Sequence, residues 1–188
     1  MKIYVFTDAN KYKIACVVYN EDLKKIFSAS TAAKYDDITI NEYDAIRFAL
    51  KKIKKNVETS LSLTLTDDIV LCIDNTNAKK ALDNNIYERS TPPDKDRMDM
   101  TSSTVEKITK KIKKHIKDLV SEDFASIGIN TIYSPSVHDR TIYEIEKLFL
   151  QNNANKIIED YYSLSKKKKF KFMKFLMKGN TKADSLTR

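Results

Sequence analysis

Apolar and polar positions in the first part of the chain alternate in short bursts. KIYVFT (2–7), YKIACVVY (12–19) and KKIFSAST (24–31) are β-rich runs separated by small polar breaks, a spacing that predicts a three-stranded antiparallel meander. The period then changes. Within NEYDAIRFALKKIKKN, Ile46, Ala49, Ile53 and Val57 recur at helical intervals, which predicts an amphipathic helix over 41–56 with lysines on its wet face. DDIVLCID (67–74) is a continuous apolar run, the pattern of a strand buried on both faces. The helix-length connection before it predicts parallel pairing, because parallel strands need a crossover.

Beyond Asp74 the pattern predicts a short helical piece in NAKKALDNN and a polar, proline-containing loop over 88–103. In TVEKITKKIKKHIKDLV, Val105, Ile108, Ile112, Ile116 and Leu119 share one helical face and lysines crowd the rest. A strand follows at 126–134, then helices at 140–151 and 155–162. KKKKFKFMKF fits a strand by its alternation, or a helix running to Gly179, leaving the closing GNTKADSLTR with a strand before Asp184 and a bare helical turn after it.

Composition narrows the class of protein. A chain of 188 residues suits one domain with a core of its own. Its 34 Lys plus Arg against 26 Asp plus Glu leave a net charge of +8, which favours a polyanionic partner such as nucleic acid. Cys16 and Cys72 lie inside apolar runs without metal-ligand spacing, so they read as buried free thiols in a reducing compartment. No apolar stretch is long enough to cross a bilayer and the opening MKIYVFTD has no signal-peptide layout, so the expected location is intracellular, cytoplasmic or nuclear, with no membrane partner.

Candidate chemistry lies in the acids. Asp8 closes the first strand and Asp74 the fourth, so if those strands are neighbours both carboxylates leave the sheet at the same end. Glu42 lies four, seven and eleven residues before Ile46, Ala49 and Ile53, on the helix face turned toward the sheet. Each has an ordinary structural account: Asp8 starting a turn, Glu42 suiting a helix dipole, Asp74 capping the next helix. Together they imply more, since converging like charges raise each other's proton affinity unless a cation neutralises them. A hard divalent ion such as Mg²⁺ is the natural one, and paired ions can activate water and stabilise the leaving oxygen of a phosphodiester.

FTDAN, NEYDAIRFAL, VLCIDNTNA and GNTKADSLTR, in that order, resemble the ribonuclease H family: an Asp after a first antiparallel strand, a Glu opening the first helix, an Asp ending the fourth strand, and a terminal N-x-x-A-D-x-L. The ending ADSLTR is most similar to that of ribonuclease H domains in long-terminal-repeat retroelements and plant pararetroviruses. The resemblance covers the first half of the chain and its last twenty or so residues. It implies an α/β ribonuclease H-like fold, with a five-stranded mixed sheet of three antiparallel and then parallel strands, flanked by helices. It implies that Asp8, Glu42, Asp74 and Asp184 are catalytic and ligate two Mg²⁺ ions, with Mn²⁺ as a substitute. It further implies a monomeric endonuclease hydrolysing the RNA strand of RNA:DNA hybrids, with a polymerase or reverse-transcriptase partner left open. Lysines of the 105–119 helix, and those at 166–169 with Phe170 and Phe172 between them, are candidate backbone contacts.

The stretch between Asp74 and Asp184 is longer than the family usually allows, implying one domain, 1–188, with an inserted or extended region at about 85–165. A rival register puts His138 and Asp139 where family members carry a mobile histidine and the last aspartate, leaving 152–188 as a tail. His115, amid lysines, reads as ordinary surface. Two other functions fit the same fold: a structure-specific DNA nuclease or resolvase, and a catalytically inactive nucleic-acid-binding module.

Overall fold

The computed structural model describes residues 2–59, 68–76, 78–80, 100–122 and 129–188. Three strands, β1 (Lys2–Ala9), β2 (Lys13–Tyr19) and β3 (Lys25–Ala32), form the expected meander. Helix α1 (Ile38–Thr59) crosses to β4 (Asp68–Ile73), then come α2 (Met100–Glu122), β5 (Ile129–Tyr133), α3 (Ile142–Asn152), α4 (Asn155–Tyr162) and α5 (Lys166–Thr187). The sheet order is β3-β2-β1-β4-β5, with β1–β4 and β4–β5 parallel. This order and these directions are a ribonuclease H-like fold.

Period-two alternation divides β1 between two cores. Ile3 and Val5 face one side, where Ile69, Leu71 and Ile73 join Ile46, Leu50 and Ile53 of α1 and Ile112 and Ile116 of α2. Phe6 faces the other, with Val17, Tyr19, Cys72 and Ile132 under Ile145 and Phe149 of α3, Tyr161 of α4 and Phe175 and Leu176 of α5. Both cysteines are buried and free. At the β5 edge, Asn153 donates to the Tyr133 carbonyl at 3.0 Å and accepts from its amide at 2.7 Å, occupying backbone groups that an edge strand otherwise exposes.

Several local expectations are corrected. Residues 100–103, expected as the end of a polar loop, form the first turn of α2; the rest of that loop and 81–85 of the short helical piece lie outside the described residues. KKKKFKFMKF is helical, and the helix does not stop at Gly179: no strand precedes Asp184, which lies inside α5. The decisive spacing is that of Phe172, Met173, Leu176, Ala183 and Thr187, which turn inward as the lysines turn outward. Phe172 packs edge-on to Tyr4 and Phe149, so it belongs to the core, while Phe170 stays exposed under the Lys174 ammonium, 4.5 Å from its ring centre. His115 is half-buried, its Nδ1 3.3 Å from Nη1 of Arg47, which pairs in turn with buried Asp44.

Gly179 survives mid-helix because α5 lies directly on β1. A Cβ there would stand 2.3 Å from Cζ of Phe6, a fully buried ring wedged against Tyr19 and Phe175. Overpacking of this kind costs about 1–3 kcal/mol, more than the roughly 1 kcal/mol of helix propensity that alanine would add. Gly179→Ala is therefore expected to lower the thermal midpoint by several degrees, at roughly 2–4 °C per kcal/mol for a chain of this size. Adding Phe6→Leu should recover part of the loss. An unchanged midpoint for the single variant would mean that the ring moves aside freely.

Candidate active site

The parallel register places the first two acids. Pairing runs from Lys2 with Asp68 to Phe6 with Cys72; Asp8 lies two residues beyond that last pair on β1 and Asp74 just past the end of β4, so both acids stand at the same end of the sheet. Asp8 shares the parity of Tyr4 and Phe6, and so the face covered by α5.

Glu42 arrives from the opposite layer. Asp37 accepts from the Ile40 amide at 2.9 Å and starts α1. Fully buried Asn41 then donates to the carbonyls of Asn10 at 3.0 Å and Tyr35 at 2.8 Å, tying the first turn of α1 to the end of β1. The next residue is Glu42.

Asp184 is delivered by the last turns of α5. Carbonyls at a helix end need outside donors, and here Asn10 Nδ2 reaches Thr187 O at 2.7 Å and Lys13 Nζ reaches Arg188 O at 2.8 Å. Thr187 Oγ1 donates to Asp8 Oδ2 at 2.5 Å, which fastens the helix to the first acid itself. Asp184 sits one turn earlier and pairs with Arg188 Nη2 at 2.7 Å.

The ordinary roles open to these acids are filled by neighbours. Asn10, not Asp8, builds the β1–β2 turn by accepting from the Tyr12 and Lys13 amides. Asp37, not Glu42, opens α1. Asn75, not Asp74, accepts from the Ala78 amide at the next helix start. The structural accounts of the three acids thus pass to adjacent residues.

The electrostatics are those of crowded anions. Burial, then the charges of Asp74 and Asp8, push the Glu42 carboxyl up to about 9. Burial, then Asp8, push Asp74 up to about 6, with Asp184 adding to the rise and His138 opposing it. Asp8 is raised too, chiefly by burial; the Thr187 hydroxyl opposes this and Asp184 reinforces it.

The rival register divides. The charge of His138 reaches both Asp8 and Asp74, whereas Asp139 sits on the exposed turn of the same loop with φ 52° and acts on neither. What binds this loop to α5 is Asn180, whose buried amide nitrogen lies 2.8, 2.9 and 2.8 Å from Ser134 O, Ser134 Oγ and Pro135 O. Sequence reasoning saw Asn180 only as part of a motif; its spacing one turn before Asp184 was the available signal.

No three His, Cys, Asp or Glu side chains among the described residues surround a common point as metal ligands in their present placement. The donor chemistry nevertheless fits a hard cation: Asp8, Glu42, Asp74 and Asp184 offer carboxylate oxygens, and burial together with their mutual charge raises the proton affinities of the first three.

No protein-family model and no curated protein matches the chain. Among solved structures it is similar to the ribonuclease H1 of the halophilic archaeon Halobacterium salinarum NRC-1, with 14% identity over 85% of this chain and 99% of that one and a TM-score of 0.49. LC11-RNase H1, isolated from compost by a metagenomic approach, shows 15% identity over 80% and 94%, with a TM-score of 0.48. The PFV RNase H domain shows 15% identity over 80% and 89%, with a TM-score of 0.38.

Two outcomes are expected. Glu42 and Asp74 bind protons more tightly folded than unfolded, so their contribution to stability is full below about pH 4 and lost as pH rises through about 6 and then about 9. In EDTA the thermal midpoint should fall from pH 5 to pH 9.5, and Glu42→Gln should flatten the upper part of that fall; equal slopes would contradict the coupling. Asn180→Ala strands buried carbonyls at a cost of about 1–3 kcal/mol and should speed amide exchange over 134–140. Unchanged protection there would show that the loop is held by other means.

Proposed function

We propose that the chain is a divalent-metal-dependent endonuclease that hydrolyses the RNA strand of RNA:DNA hybrids. The observation that supports this most is the mutual charge coupling among Asp8, Glu42, Asp74 and Asp184 near one sheet end, with the stabilising roles beside them filled by other residues. Two Mg²⁺ ions, or Mn²⁺ in their place, would be held by Asp8, Glu42, Asp74 and Asp184. When bound, such ions lower the pKa of an attacking water and stabilise the departing 3′ oxygen.

The chain's own residues do the rest. Asp8, still within β1, and Asp74, just past the end of β4, would form the sheet-borne part of the site. Glu42 and Asp184 come from helices on opposite faces, so the cluster spans both layers. Ionisation of Glu42 is disfavoured without added positive charge, which couples its proton loss to cation uptake. Arg188 must yield its hold on Asp184 for that carboxylate to turn inward. The charge of His138 reaches Asp8 and Asp74 and would offset part of their repulsion. The exposed lysines of α2, among them Lys107, Lys110 and Lys114, offer charge for a phosphate backbone. The chain would act as one domain, 1–188, with an inserted or extended region at about 85–165 that includes α3 and α4.

The test is cleavage of labelled RNA:DNA hybrid, single-stranded RNA and duplex DNA with Mg²⁺, Mn²⁺ or EDTA. Hybrid cutting that needs a divalent ion and falls at least a hundredfold in Asp74→Asn is expected, with a comparable loss in Asp184→Asn and little change in Asp139→Asn. Cutting of branched or duplex DNA instead would identify a DNA nuclease on the same site. Hybrid binding without cutting would identify an inactive binding module.

A further inference from the structure

A second surface lies on the α5 face beside the acids. It is a groove of about 770 Å³ between the β2–β3 turn and the outer flank of α5. Four lysines edge it: Lys24 and Lys25 from the turn, Lys178 and Lys182 from the helix. Among the described residues none of the four pairs with a carboxylate, and the acids of the same turn, Glu21 and Asp22, line a different cavity.

The floor is apolar. Tyr19, Leu23, Val137 and Met177 supply it, all of them part of the second core or packed on it. Leu23 reaches this position with φ 64°, a conformation uncommon for a bulky residue. It is held there by a tight turn: its amide donates to Asn20 O at 3.0 Å, and the Asn20 side chain accepts from the Lys24 amide at 2.9 Å. The same turn therefore sets the apolar floor and the two lysines of one rim.

Two lining residues place the groove against the acid cluster. Val137 precedes His138, and Ser185 follows Asp184. We propose that the groove binds a single-stranded nucleic-acid segment running to or from that cluster, phosphates on the lysines and bases against the floor. A duplex suits it poorly, since paired and stacked bases cannot reach an apolar floor, whereas an unpaired strand offers both groups at once. That the segment is an unpaired extension of the hybrid being cut rests on the nuclease reading; the binding itself does not.

The experiment measures anisotropy of a labelled single-stranded 12-mer in EDTA against salt concentration. Lys178→Ala with Lys182→Ala, and separately Lys24→Ala with Lys25→Ala, should each weaken binding about tenfold and flatten the log–log salt dependence by about 1.4, the loss of two single-strand phosphate contacts. The matching arginine pairs should keep both affinity and slope, and unchanged thermal midpoints would exclude misfolding. Unchanged single-strand binding in both alanine pairs would overturn the proposal, as would equal, equally lysine-dependent binding of duplex DNA. Lysine-dependent single-strand binding without hybrid cleavage would uphold the groove and defeat the nuclease reading. Cleavage with lysine-independent strand binding would do the reverse.

Discussion

Repulsion among carboxylates at one end of the sheet is the constraint around which the rest of the molecule is arranged. Parallel pairing of β1 with β4 runs up to Phe6 and Cys72, so Asp8 and Asp74 stand two residues further on at the same end of the sheet. Bringing Glu42 and Asp184 to the same place adds charge where water is scarce, and the proton affinities of Asp8, Glu42 and Asp74 rise together. Such an arrangement subtracts from stability, so the fold must hold it by contacts made elsewhere.

Those contacts come from polar residues standing next to the acids. Asn10, Asp37, Asn41 and Asn75 shape the turns and helix starts that aim Asp8, Glu42 and Asp74. Thr187 and Asn180 do the same from α5, one fastening the helix to Asp8 and the other fastening the loop of His138 to the helix. Each acid thus has a neighbour one to five residues away that makes the turn, cap or loop contact fixing the backbone beside it.

Helix α5 joins both surfaces. Its inward side needs a glycine at 179 to approach Phe6, and that approach brings its last turns to the β1–β2 turn. Its outer flank presents Lys178 and Lys182 across from Lys24 and Lys25. No helix among the described residues is long and apolar enough to cross a membrane, and the charge of α5 lies along faces that meet water.

Periodicity by itself determined the meander, the first helix, the buried fourth strand and the helix at 155–162, because each buries a side whose spacing is local. It also singled out Glu42, an acid on an apolar stripe. It failed at 166–188, where a lysine-rich alternation matches strand and helix alike and Gly179 reads as a stop; only Phe6, distant in sequence, explains a glycine inside that helix. Between Asp184 and Asp139, local pattern favoured Asp184 through the offsets of N-x-x-A-D-x-L. Only the rival register offered a histidine, His138 beside Asp139; in the structure the charges of His138 and Asp184 both reach Asp8 and Asp74, and Asn180 ties the loop after β5 to a helix that begins more than thirty residues later. Local spacing decides which face a residue shows; which charges meet is decided by packing between elements far apart in the chain.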